Sequence, residues 1–114
     1  GSNTTEIKQI ELLIKLSKQY IMSDYEAVSP YIGKDEKAKM LHHHKVIPYV
    51  FLSRRLLAYA PFRNDKLGGT NALKRCLQIM CDRDSFREMS KHEMVNRFGS
   101  TQKAYVVSDM NILK

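Results

Sequence analysis

Residues 90–107 have the sequence SKHEMVNRFGSTQKAYVV, and this stretch decides the fold of the last third of the chain. Its first four residues form a capping box, in which the Ser90 hydroxyl accepts a hydrogen bond from a free backbone amide and the Glu93 side chain reaches back to the cap. Gly99 stands where a left-handed C-cap would fall. We therefore predict a short, well-delimited helix over residues 91–98.

The predicted buried face of this helix consists of Met94, Val95 and Phe98. After the helix, residues 103–107 combine β-branched and aromatic side chains, which favours a strand. Polar residues that suit a turn come next, so we expect residues 112–113 to pair back as the second strand of a hairpin.

A further amphipathic helix is predicted before the capped one, over residues 70–82. Its apolar side chains recur at three- and four-residue spacings. They are Ala72, Leu73, Cys76, Leu77 and Met80. Residues 82–85 then break the helical pattern, and we expect a turn around 86–89.

This order of elements follows that of a winged helix-turn-helix domain, in which the second helix lies in the major groove of DNA. A second alignment also fits, with residues 93–98 as the supporting helix, Gly99 as the turn glycine and residues 100–111 as the reading helix. A third interpretation is a small helical bundle whose hairpin only completes the core.

The first two-thirds of the chain also predicts helices. They cover residues 5–22, from 35 toward 47, and 49–59, with Pro48 opening the last of these. Turns are predicted at Ser29-Pro30 with Gly33, and over residues 61–69, where Asn64-Asp65 is a turn signal. The expected fold class is mainly α with a small C-terminal β-hairpin. We expect a single domain over residues 3–114, with Gly1 and Ser2 as the remnant of a purification tag.

Charge is the most informative bulk property of these 114 residues. Nineteen Lys and Arg against 12 Asp and Glu leave a net charge of +7, and the pI is about 9.5. Residues 37–64 contain six Lys or Arg and no acidic residue. A basic domain of this kind favours nucleic acid as partner, because neutralising phosphates releases condensed counterions.

The sequence contains none of the common catalytic motifs, so we expect no enzymatic activity, cofactor or small-molecule substrate. His42, His43 and His44 are consecutive and point about 100° apart on a helix, which argues against a shared metal. Cys76 and Cys81 are more typical of core residues than of a zinc site. No long apolar run or secretory signal is present, so we expect an intracellular protein without membrane contact.

We therefore expect binding of double-stranded DNA in a nuclear or chromatin setting. Base contacts are expected from Lys91, His92 and Asn96 at the capped helix. Phosphate contacts are expected from Arg97, Gln102, Lys103, Tyr105, Lys45, Arg54 and Arg55. The alternative is a protein-interaction or dimerisation module that docks an acidic partner on its basic face.

Overall fold

The computed structural model describes residues 2–63 and 68–114, with side chains described from Thr4 onward. Over these ranges the chain is mainly helical and has one small antiparallel sheet, which confirms the expected fold class. The helices are α1 (Ser2–Met22), α2 (Tyr25–Ile32), α3 (Glu36–His43), α4 (Tyr49–Leu56), α5 (Ala60–Arg63), α6 (Gly69–Asp82) and α7 (Lys91–Phe98). The strands are β1 (Ile47–Pro48), β2 (Phe86–Glu88) and β3 (Ala104–Val107), and a 3-10 helix covers Met110–Leu113.

α2 differs from the prediction, because Pro30 lies inside the helix instead of interrupting it. Proline has no N–H with which to bond the carbonyl of Glu26, four residues earlier. The Ser29 hydroxyl donates to that carbonyl oxygen at 3.2 Å and so replaces the missing donor. The helix ends at Gly33, whose φ of 105° favours glycine.

The central helix α4 begins as predicted and ends earlier. Pro48 precedes its first residue in an extended conformation, and Leu56 is its last residue. The segment expected to be only turn then contains the short helix α5. The predicted turn at Asn64-Asp65 lies outside the described residues.

The sheet has the order β1-β3-β2, and both pairings are antiparallel. The expected hairpin within residues 103–113 is therefore wrong. β3 already pairs with β1 on one edge and with β2 on the other, which leaves no free edge for residues 112–113. The Asp109 carboxylate instead accepts a hydrogen bond from the amide of Asn111 at 3.1 Å and begins the 3-10 helix.

The segment 86–89 also differs from the turn expected in a helix-turn-helix, because β2 occupies it. α7 thus connects two neighbouring strands and is not joined to α6 by a simple turn. The second alignment, with a reading helix over 100–111, is wrong, because β3 occupies the middle of that segment.

The sheet separates two groups of buried apolar side chains. Successive residues of a strand point to opposite faces. Tyr105 and Val107 belong to the main cluster, which α1, α4 and α6 share. Ala104 and Val106 belong to a smaller cluster with side chains from α3 and α7. The sheet is thus a middle layer, and α7 lies on the face opposite α1, α4 and α6.

Tyr20 of α1 links the two layers. Its side chain is fully buried, and its hydroxyl donates to the carbonyl oxygen of Val46 at 2.7 Å, just before β1. The ring of His42 lies edge-on to the Tyr20 ring, with 5.1 Å between centroids. The Tyr20 side chain therefore connects the main cluster to the end of α3.

Candidate nucleic-acid interface

The capped helix α7 has both predicted ends. The Ser90 hydroxyl accepts a hydrogen bond from the amide of Glu93 at 3.0 Å. Gly99 adopts the left-handed conformation, with φ 62° and ψ 28°, and ends the helix. Since these two residues fix where α7 starts and stops, they also fix which side chains face outward.

The inner face of α7 is narrower than predicted. Met94 and Phe98 are buried in the smaller cluster, whereas Val95 is 43% exposed. Met94 and Phe98 lie four residues apart on one side of the helix, and Val95 is rotated about 100° away from Met94. Val95 therefore belongs to the outward face. It lies one helical turn after Lys91, on the same side of the helix.

The outward face of α7 combines three polar side chains with one aliphatic side chain, that of Val95. Lys91, His92 and Asn96 are all exposed there, as the sequence predicted. The Asn96 amide nitrogen lies 2.9 Å from Nε2 of His92, so the two side chains orient each other. This contact involves the Asn96 amide nitrogen and not its carbonyl oxygen, and the Lys91 side chain is exposed one turn before Val95.

Glu93 is the one acidic residue of α7, and its carboxylate is neutralised locally. It accepts hydrogen bonds from the guanidinium groups of Arg87 and Arg97, each at 3.0 Å. These two bonds hold the pKa of Glu93 below its ordinary value. The predicted capping box is therefore half correct, because Ser90 caps the helix while Glu93 turns to the arginines.

Basic and aromatic groups surround the C-terminal end of α7. The Arg97 guanidinium lies 4.9 Å from the centre of the Phe98 ring, and the centre of the His44 ring, just after α3, lies 5.6 Å from it. Lys37 of α3 also approaches this end of the helix. Its Cε atom lies 3.8 Å from the position that a methyl group on Gly99 would occupy. Lys45, a predicted site residue, is exposed and follows His44 directly.

The residues predicted after α7 divide into two groups. Gln102 is half-buried, and Lys103 is exposed with its ammonium 3.6 Å from the Glu88 carboxylate. Tyr105, in contrast, is only 3% exposed, because β3 turns this side chain toward the main cluster. Burial also raises the pKa of Tyr105. Tyr105 therefore does not belong to the outward surface.

Arg54 and Arg55 lie apart from α7, on the last turn of α4. Arg54 donates to the carbonyl oxygen of Tyr31 at 2.8 Å. The Arg55 guanidinium lies 4.7 Å from the centre of the Tyr31 ring. Both arginines thus reach α2, and the structure does not bring them together with Lys91, His92 and Asn96.

Four residues of this surface were not assigned to the surface around α7 from the sequence: Lys37, His44, Arg87 and Val95. Lys37 and His44 belong to the basic stretch over residues 37–64. Val95 lies three and four residues after the exposed His92 and Lys91 but also three residues before the buried Phe98, so its spacing does not decide which face it joins. The other three approach α7 only through tertiary packing, for which the chain has no local signal.

Family models, curated protein sequences and solved structures give no match to the chain. Within residues 2–63 and 68–114, no group of three or more His, Cys, Asp or Glu side chains is placed to hold a metal ion. In the same ranges, no helix combines the length and the apolar character needed to cross a membrane.

Proposed function

We propose that this domain binds double-stranded DNA through the outward face of α7. The observation that carries the proposal is the composition of that face. Lys91, His92, Asn96 and Val95 are exposed together, while the only carboxylate of the helix is held by two arginines. A rigid helix with such a face has the groups that read base edges in the major groove.

Each outward side chain has a chemical role in this proposal. The Asn96 amide can pair with the N6 and N7 edge of adenine, and the Lys91 ammonium can donate to guanine O6 or N7. Val95 supplies an apolar contact of the kind that recognises the methyl group of thymine. His92 holds Asn96 in place through the contact at 2.9 Å.

Phosphate contacts come from the basic residues around α7. Lys37 and His44 lie beside the C-terminal end of the helix and Lys45 follows His44 directly, whereas Arg97, on the helix itself, is held by Glu93. Such contacts position a protein on the duplex without reading its sequence. The nuclear or chromatin setting expected from the sequence is part of this proposal, because that is where duplex DNA would be met.

Fluorescence anisotropy of a labelled random duplex, titrated at several salt concentrations, tests the proposal. We expect log affinity to fall linearly with log salt, by about 0.9 for each phosphate neutralised. Lys45→Ala, which removes a proposed phosphate contact, should reduce this slope by about 1. Lys15→Ala, on α1 across the sheet, is the matched control and should leave the slope unchanged.

Base reading is tested separately by site selection followed by affinity measurements on the selected and a random duplex. Asn96→Ala should reduce discrimination between the two by about 1 to 3 kcal/mol. Absence of duplex binding at low salt would overturn the proposal. Equal slopes for the wild type and Lys45→Ala would remove the C-terminal end of α7 from the interface.

A further inference from the structure

Three arginines are linked to one another across the C-terminal ends of α2, α4 and α5. Arg54 donates to the carbonyl oxygen of Tyr31 at 2.8 Å, and the Arg55 guanidinium lies 4.7 Å from the centre of the same tyrosine's ring. Arg55 also donates to the Tyr59 hydroxyl at 3.4 Å. Arg63 donates to the carbonyl oxygen just before Tyr59 at 3.1 Å. Arg54, Arg55 and Arg63 therefore form one connected set, which we call the arginine row.

The positive charges of the arginine row are not neutralised by the fold. In the described parts of the chain, none of the three arginines forms an ion pair. Each guanidinium has five N–H donors, and its hydrogen bond to the fold uses one of them. Arg54 and Arg63 are exposed and Arg55 is half-buried. The row therefore offers open donors that are already held in place.

The surroundings of the arginine row contain few carboxylates. Residues 37–64, which include the row, have no Asp or Glu. Asp24 and Glu26 lie at the first turn of α2, whereas the row meets α2 at its last turn. Beyond α2, Asp35 caps α3, and the Glu36 carboxylate lies 3.7 Å from the ammonium of a lysine in the same helix. An anionic ligand of the row thus meets little competition from the chain itself.

The arginine row and α7 lie on different sides of the sheet. α4 and α5 pack against α1 and contribute to the main cluster, whereas α7 packs against α3 and contributes to the smaller one. The domain is 43 Å long and 26 Å across its shortest direction. DNA is stiff over lengths of about 150 base pairs. A duplex that lies along α7 therefore leaves the row free for a separate segment.

We propose that the arginine row binds the phosphate backbone of a second segment of duplex DNA, so that one domain bridges two duplexes. This inference rests on the proposed function of α7. Two features select the ligand. The guanidinium fork matches the oxygen geometry of a phosphate and binds it through two hydrogen bonds. The three cations follow one another along a line of contacts, which suits the successive phosphates of a backbone better than a single phosphate group.

The test counts the duplexes that one chain binds. Analytical ultracentrifugation of the whole chain with an excess of a short hairpin duplex, in dilute salt, should give complexes of one chain with two duplexes. The double variant Arg54→Gln with Arg63→Gln should bind one. Lys15→Gln with Lys18→Gln, on exposed positions of α1, removes the same charge and is the matched control. It should still bind two duplexes.

A second measurement does not depend on variants. Titration of the wild-type chain with the hairpin duplex should shift the NMR signals of both the Asn96 side-chain amide and the Tyr59 ring. Shifts at Asn96 alone, with one duplex bound, would overturn bridging and leave the proposed function of α7 intact. Shifts at Tyr59 alone would overturn bridging together with the role of α7.

Two further outcomes would also overturn the inference. Absence of duplex binding would remove both proposals at once. Displacement of the second duplex by an equal concentration of a poly-glutamate peptide, with the first duplex still bound, would assign the arginine row to an acidic protein. Loss of the second duplex in the lysine control as well as in the arginine variant would show that net charge, and not the row, holds it.

Discussion

Replacing Glu93 by Gln should strengthen binding to duplex DNA and make it more sensitive to salt. In the wild type the Glu93 carboxylate accepts hydrogen bonds from Arg87 and Arg97. The side chains of both arginines remain about half exposed, at 52% and 43%. Gln at position 93 keeps the size of the side chain and its compatibility with a capping box, so the change removes charge and leaves α7 in place.

The magnitude follows from the two released guanidinium groups. If each meets one phosphate, the slope of log affinity against log salt becomes steeper by about 1.8, at about 0.9 per phosphate. Over the fourfold change from about 50 to 200 mM salt, the advantage of the variant should shrink by roughly tenfold. The effect should therefore be largest in dilute buffer.

The assay is duplex anisotropy across that salt range, with Glu6→Gln as the matched control. Glu6 pairs with Arg75 at 3.5 Å between α1 and α6, on the far side of the sheet from α7. Both variants add one unit of positive charge, and only Glu93→Gln does so beside the proposed interface. If the two variants steepen the slope equally, net charge explains the binding and the assignment to α7 is refuted.

Acid should act on the same contact. The pKa of Glu93 is lowered in the folded chain, so its ion pairs stabilise the fold above the ordinary pKa and are lost as pH falls through the lowered value. The melting temperature of the wild type should therefore drop more steeply with acid than that of Glu93→Gln. Parallel melting profiles for the two chains would contradict this expectation.

Three further changes test the fold. Tyr20→Phe leaves the buried carbonyl of Val46 without its donor and should lower the free energy of unfolding by about 1 to 3 kcal/mol in urea denaturation, and a loss below about 0.5 kcal/mol would show that this bond is dispensable. Gly99→Ala meets no close atom but requires a left-handed alanine, so it should cost about 1 to 2 kcal/mol in the same assay, and a neutral result would mean that the helix end relaxes. Burial raises the pKa of Cys76 to about 11, so at pH 8 a thiol reagent should label it only after unfolding, and fast labelling of Cys76 in the native Cys81→Ser chain, which lacks the half-buried second cysteine, would contradict its burial.

The helices could largely be predicted from the sequence because their signals are local. The apolar stripe of α6 and the Ser90 and Gly99 ends of α7 are set by residues within one or two turns. The helical position of Pro30 could not be predicted from the proline alone, because the Ser29 hydroxyl compensates for the missing amide.

The sheet could not be predicted from local patterns. β1 has two residues and β2 has three, too few to show alternation, and each becomes a strand only by pairing with β3. The same pairing decides the position of Tyr105, because it directs this side chain of β3 into the main cluster. The exposure of Lys91, His92 and Asn96 could be predicted once the two ends of α7 were known. The contact of Arg87 with Glu93 could not, because it depends on the position of β2 beside α7.

The central position of β3 bears on how the domain is made. Ile47 pairs with Tyr105 across more than half of the chain, and Phe86 pairs with Val107. During synthesis, β1 and β2 have no partner until residues 104–107 leave the ribosome, and closing so long a loop is slow. α7 emerges before the surface on which it sits is complete. A peptide copied from α7 alone would lack that surface, so the smallest piece that presents this helix correctly is the whole domain.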